Sequence, residues 1–355
     1  MDRNEKSFIV NLRELTYFRA QWKMTCLLIL FILLIFTITA SLAIGAYHVS
    51  MPEAYTVILR HITGQGLGNV DPINDKVIWD LRLPRILLAA MVGVGLSISG
   101  AVFQSVFRNP LVEPYILGVS SGAAFGAALG IVFPTLFISV QFSAFIFGAI
   151  AVLGAYMLSH VRGGTPVVTL ILAGVIISSV FSSFVSVMKY IASDTALRDI
   201  VFWLMGGFYY STWGDLVFFI PVVVIGFLIL WRLGWNLNIL SMGDEEARTL
   251  GVNPERNKLI VLSIATLLTA YAVSLVGIIA WVGLMMPHAA RLLLGPDNTY
   301  VIPTAALMGG IYLIVCDTLA RTITTSEIPV GIIASLLGAP YLCYLLRNKG
   351  RVIYG

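Results

Sequence analysis

The sequence is poor in charge and in residues that do chemistry. Only 11% of its 355 residues are charged, against roughly 25% in an average soluble domain. Residues 114–159 carry no charge at all. A chain that is 58% hydrophobic has too little polar surface to face water on all sides, which excludes an ordinary soluble fold. Three cysteines, Cys26, Cys316 and Cys343, lie far apart inside apolar runs. They form neither a disulfide framework nor a metal-ligand spacing, and read as small apolar packers. The four histidines are equally scattered, so no metal site is expected. No GxxxxGK[ST] occurs, which excludes ATP binding through a P-loop. GxSxG and HExxH are missing too, and no basic stripe alternates with aromatics, so hydrolase chemistry and nucleic-acid binding find no support. The apolar runs are nearly free of ionisable groups in their interiors. A carrier driven by protons or sodium keeps such a group near the midplane. Its scarcity counts against a stand-alone secondary transporter and against an intramembrane enzyme, and leaves the energy to another component.

What the sequence does have is length in its apolar runs. A membrane span takes about 20 residues at roughly 1.5 Å each. Runs of that kind predict ten helices, near 24–46, 86–107, 115–133, 141–159, 167–189, 214–232, 258–276, 279–294, 301–320 and 329–346. The first is too long for a signal-peptide core and lacks a small-residue cleavage site, so it reads as a retained span. The chain divides into an N-terminal segment, 1–23, one ten-helix membrane domain, 24–348, and a tail, 349–355. Ten spans place both termini on one side. Segments on that side hold 15 of the 22 lysines and arginines, which makes it cytoplasmic. The opposite segment 47–83 is rich in Gly and Asp and predicts a loop with short helical pieces. The segment 232–258 is the longest cytoplasmic connection. Asp244, Glu245 and Glu246 suit a helix start, and Gly251 suits a C-terminal cap.

Several local patterns stand out. Gly118, Gly122, Gly126 and Gly130 recur every four residues, giving a smooth helix face for close packing or for lining a path. Pro84 in "LRLPR" (81–85) suits a helix start, and the flanking Arg82 and Arg85, with Arg321, offer guanidinium groups to an external carboxylate. Gly100 and Pro110 are spaced like Gly277 and Pro287, at an offset of 177, on helices running in opposite directions. Helices two to five and seven to ten then form an inverted repeat.

The run "LRLPRILLAAMVGVGLSISGAVFQSVFRNPLVEPYILGVSSGAAFGA" resembles the signature region of the FecCD-type permeases. The blocks "LILAGVII" (170–177), "WLMGGF" (203–208), "ARTLGV" (247–252), "VGLMMPHAARLLLG" (282–295) and "IPVGIIASLLGAPYLCYLL" (328–346) follow in the same order. The resemblance implies the membrane subunit of a type II ABC importer for ferric siderophores, haem or cobalamin, in the cytoplasmic membrane of a prokaryote. It implies an all-α fold of ten spans, no cofactor on this chain and no enzymatic site. The implied partners are a second permease subunit, two ATPase subunits that carry ATP and Mg, and a periplasmic or lipid-anchored binding protein that delivers the metal chelate. Carried over by motif, Arg82, Arg85 and Arg321 correspond to residues that dock the binding protein. Asn109 and Leu111 correspond to a cytoplasmic gate. Val167 and Val168 fall at a second constriction, where the cobalamin relative has small hydroxyl residues instead. Met242, Gly243, Asp244, Glu245, Glu246, Ala247, Arg248, Leu250 and Gly251 correspond to the segment that couples to the ATPase.

Overall fold

A computed structural model describes residues 3–45, 47–64, 70–136, 139–160, 166–324 and 326–353. Residues 65–69 of the Gly-rich segment and 161–165 of the loop after the fourth predicted span lie outside them. Among the described residues the chain is helical, with no strand. It opens with α1 (Arg3–Ala43), α2 (Met51–Thr63) and α3 (Pro72–Lys76), and a π-helical stretch, Val77–Arg82, leads into α4 (Leu83–Val106). Next come α5 (Val119–Val132), α6 (Val140–Ser159), α7 (Val167–Ile191), α8 (Asp194–Met205) and α9 (Trp213–Arg232). Two short helices, α10 (Gly234–Met242) and α11 (Asp244–Thr249), precede α12 (Pro254–Val276), α13 (Val282–Leu294), α14 (Asn298–Ala320) and α15 (Val330–Ile353).

Seven of these helices are long and apolar enough to cross a membrane, and three shorter apolar ones, α5, α13 and the first part of α15, complete the ten predicted spans. Three expectations change. Helix α1 begins at Arg3 and α15 runs to Ile353, so the terminal segments are continuations of spans. Pro84 does not start a helix, because the chain is already helical from Pro72. The π turn, in which the Leu83 amide reaches back to Ile78 O, shifts the register just ahead of the proline. Thirdly, α5 and α13 are only 14 and 13 residues long. Each follows an irregular stretch, 107–118 or 277–281, that enters the interior.

That pairing carries the internal repeat. Helices α4 to α7 run 24, 14, 20 and 25 residues, and α12 to α15 run 23, 13, 23 and 24. The Gly–Pro spacing does not carry it. Gly277 caps α12 while Gly100 lies inside α4, and Pro287 lies inside α13 while Pro110 lies in a turn.

Helix α4 is the hub, buried over nearly its whole length. It packs against α14, α12, α13 and α9. Small residues make this possible. A Cβ on Gly93 would overlap the backbone of Gly309 on α14, and one on Gly100 would overlap Gly283 O on α13. Backbones that approach so closely replace the hydrophobic drive that lipid does not supply. The Gly122 and Gly126 face of α5 works in the same way, against the carbonyls of Phe147 and Ser143 on α6. All four glycines of that row are buried, so they seat α5 on its neighbours and line no opening.

The helix ends sort onto two faces. The start of α4 meets the ends of α1 and α14 on one face. The other is called the terminal face here: Lys23 of α1 lies over the Tyr300 ring at the start of α14, 4.2 Å from its centroid. Gly126→Ala is expected to lower unfolding stability in detergent by about 1–3 kcal/mol, as overpacking does. Thermal unfolding beside Gly64→Ala, where a Cβ has open space, checks this; Gly64 has positive φ, so that change reports backbone strain alone.

Candidate functional site

Two clusters of polar side chains stand at opposite ends of the bundle. On the face away from the termini, three arginines and two acids meet. Arg85 donates from Nε to Asp317 Oδ1 at 2.8 Å, and from Nη1 to Glu327 at 2.8 and 3.1 Å. Arg321 Nε lies 3.5 Å from Asp317 Oδ2. Asp317 is fully buried, and a buried carboxylate is tolerated only with such partners. The last carbonyls of a helix have no partner within it. Arg321 Nη2 donates to Ser41 O at 2.6 Å, and Arg82 Nη1 donates to Leu42 O at 2.6 Å. Arg82 Nη2 reaches on to Tyr47 O. Arginines just before α4 and just after α14 therefore cap α1.

This changes the reading of the three arginines. They come together as predicted, but not as exposed groups: Arg82 and Arg321 are 6% and 7% exposed. Only Arg85 shares an ion pair with an exposed acid, Glu327. Asp317, which organises the corner, was not singled out in the sequence. Its signal was there, an acid four residues before an arginine in an otherwise apolar helix.

On the terminal face, α4 ends at Phe107 and the chain turns sharply. Arg108 has φ 51, in the left-handed region. The Asn109 amide bonds Gln104 O at 3.1 Å, and Asn109 Oδ1 accepts from the Leu111 amide at 2.9 Å. Such a side-chain turn is what Asn before Pro favours. Asn109 and Leu111 are both exposed at the tip. The chain then dips inward. Glu113 accepts the Trp281 amide at 2.8 Å, and Tyr115 Oη donates to Ile279 O at 2.8 Å. Gln104 Nε2 donates to Leu284 O at 3.0 Å and lies 3.4 Å from Val112 O. Side chains of the first irregular stretch, 107–118, thus satisfy backbone groups of the second, 277–281.

Next to this turn stand α10 and α11. Asp244, Glu245 and Glu246 do occupy the first turn of α11, where the helix dipole favours them. Asp244 also binds Lys258 at 2.5 Å. Ala247 is fully buried and fixes α11 to the bundle, while Met242, Arg248, Leu250 and Gly251 are exposed. Gly251 has φ +79 and its amide bonds Arg248 O at 3.1 Å, so it ends the helix as predicted. Gly243, at φ 145, links α10 to α11. Clefts of about 460 Å³ flank α11 on both sides. One of them is lined by Arg108, Val167, Val168, Asp244, Glu245 and Glu246. It brings Val167 and Val168 of the candidate gate to the candidate coupling helix, while Asn109 and Leu111 lie outside its lining.

Helix α7 starts at Val167, half-buried, and Val168, 69% exposed. Its exposed face continues through Leu172, Val175 and Ile176 and then turns to Ser179, Ser182, Ser183 and Ser186. These serines were not singled out in the sequence. A helical repeat of hydroxyls in an apolar helix was the available signal.

The spans, the paired irregular stretches and the short helices with flanking clefts describe a polytopic membrane protein with a surface-exposed helix pair at one end. The FecCD transport family model matches residues 33–348, and the chain belongs to that family. It is 44% identical over 274 residues to a cobalamin import system permease, BtuC, of Halobacterium salinarum, covering 77% of this chain and 74% of that one. It is 39% identical over 323 residues to a molybdate import system permease, MolB, of Haemophilus influenzae, covering 90% and 95%. A solved structure described as a metal-chelate type ABC transporter in an inward-facing conformation superposes with a TM-score of 0.81 at 38% identity, covering 90% of this chain and 98% of that one.

Asp317→Ala leaves Arg85 and Arg321 with no carboxylate between them, and is expected to destabilise by about 3–5 kcal/mol. Replacing Arg85 and Asp317 together by Met and Leu is expected to recover at least half of that loss. Thermal unfolding of the three proteins in detergent measures both effects.

Proposed function

We propose that the chain is the permease subunit of an ATP-driven importer of an iron chelate, a ferric siderophore before haem, cobalamin or molybdate. The observation that carries this reading is the cleft shared by Arg108, Val167 and Val168 with the acidic turn of α11. A partner that moves α11 acts there directly on the mouth of the bundle. Relatives named for hemin and Fe(3+)-citrate permeases, 36% and 34% identical, fit an iron chelate, and those named for cobalamin and molybdate, 44% and 39% identical, keep the other two cargoes as alternatives. The terminal face is cytoplasmic on this reading, as the excess of lysine and arginine favours.

The mechanism follows from the residues. A second permease copy or paralogue covers the exposed face of α7, and the path runs between the two. The hydroxyls of Ser179 to Ser186 bind a polar chelate weakly, and the apolar end from Val168 to Ile176 resists its passage. Asn109 and Leu111 close the inner mouth with Val167 and Val168. A loaded binding protein docks on the opposite face, where Arg85 exchanges Glu327 for the partner's carboxylate, with Arg82 and Arg321 holding the floor beneath. Two ATPase subunits grip α11 in its flanking clefts and supply ATP and Mg; this chain forms no covalent bond.

The test is uptake into vesicles that hold the permease with its ATPase and binding protein. Ferric siderophore uptake is expected to need ATP and to survive collapse of the proton gradient. Uptake that persists without ATP and stops with the gradient would sink the reading. Gly251→Pro cannot hold φ +79 and loses the amide bond to Arg248 O. It is expected to weaken copurification of the ATPase at least tenfold, and unchanged assembly would rule out the coupling role.

A further inference from the structure

A second connection between α10 and the Asn109 turn runs through the interior. Arg291, one turn before the end of α13, directs its guanidinium at the last turns of α4. It donates to Gln104 Oε1, to Ser105 Oγ at 3.2 Å and to Ala101 O at 3.3 Å. Among the described residues it forms no ion pair with a carboxylate. A cation suits the C-terminal end of a helix, but three hydrogen bonds to one neighbour are more than an interfacial arginine needs.

The bonds continue on both sides of Arg291. Toward the turn, Gln104 reaches Leu284 O and Val112 O through Nε2, and its own carbonyl receives the Asn109 amide. Toward α10, Ser105 Oγ lies 2.9 Å from Asn298 Oδ1, its single proton shared with Ala101 O. Asn298 donates its amide and Nδ2 to Asn238 Oδ1 at 2.8 and 3.0 Å. Asn238 donates to Asp297 Oδ1 at 2.7 Å. Asp297 caps α14 through the Thr299 amide and hydroxyl. Burial raises its pKa, but the bonds from Asn238 and Thr299 and the charge of Lys23 outweigh that and hold the carboxylate below its usual range. The chain of bonds therefore starts on the helix next to α11 and ends on the candidate gate.

Gln104, Ser105 and Asn298 are buried. Buried polar groups are a liability unless every one is satisfied. Apolar residues of similar size would pack these helix ends with no such demand. What hydrogen bonds add is register: apolar surfaces slide, whereas a bonded set has few alternative arrangements. The set fixes α10, the start of α14, the end of α4 and α13 relative to one another.

We propose that Arg291, with Asn238 and Gln104, is a positioning residue of the transport cycle. It makes the inner gate follow α10 through the core, independently of the surface cleft beside α11. This rests on the importer reading above. It assigns these residues no contact with the cargo.

The experiment uses the permease–ATPase complex in lipid, with Leu111→Cys in a chain whose exposed Cys343 is replaced by serine as the parent, and a membrane-impermeant maleimide applied from the terminal face. ATP with vanadate is expected to change labelling of the parent at least fivefold. Arg291→Met and Asn238→Ala are each expected to reduce that change to less than twofold. Bound ATPase and the rate of ATP hydrolysis should stay within twofold, and transport per ATP should fall about tenfold. The double variant should be no worse than either single one, since both cut one chain, and Arg291→Lys should keep most of the response. Asn238, half-buried at the rim, keeps the test open where Arg291→Met does not fold. A full nucleotide response in Asn238→Ala would overturn the relay while leaving the importer reading intact. No response in the parent itself would overturn the gate at Leu111, and the relay with it, while the importer reading stands or falls on the uptake assay.

Discussion

The structure depends on one constraint: a peptide group inside a bilayer must find its partner within the protein. Ten unbroken spans would meet it without help. This chain joins two pairs of spans through irregular stretches that enter the interior, 107–118 and 277–281, and ties these breaks in the helical backbone to each other. Glu113 takes the amide of Trp281, which sits at the strained φ of 75, and Tyr115 takes the carbonyl of Ile279. The second break is held by side chains from the first, so neither is a defect in isolation. The short lengths of α5 and α13 follow, and so does the position of the Asn109 turn at the mouth of the bundle.

Close backbone approach is the second consequence. With α4 enclosed by four helices, there is no room for large side chains where it crosses α13 and α14, and Gly93, Gly100, Gly283 and Gly309 occupy those crossings. The tight interior leaves bulk for the outside. Leucines, valines and phenylalanines on α7 and α9 face outward. On the proposed cycle this hub stays fixed while the α10–α11 pair and the two turns beside it move at its rim.

Much of this was legible from apolar length alone. The ten spans, the helical coupling segment and its cap at Gly251 follow from hydropathy, charge placement and turn residues. The breaks were blurred because "GIIAW" is as apolar as the helices around it. Its irregularity is imposed by Glu113 and Tyr115, more than 160 residues away in sequence. The arginine corner was legible as a cluster but not as a buried one. Composition cannot tell whether a guanidinium at a span end meets water or the carbonyls of another helix. Gln104, Asn238 and Asn298 gave no signal, since single neutral polar residues near helix ends are the ordinary dress of a membrane interface.

The arginine cap on α1 also has a meaning in time. Helix α1 is made before α4 and α14, yet its final carbonyls are held by Arg82, 40 residues later, and by Arg321, 280 residues later. Until α14 has emerged, the Ser41 carbonyl lacks its Arg321 partner. An earlier span is thus fastened by a later one. Assembly of the bundle is recorded at a single corner, where stretches of chain made far apart in time close on each other.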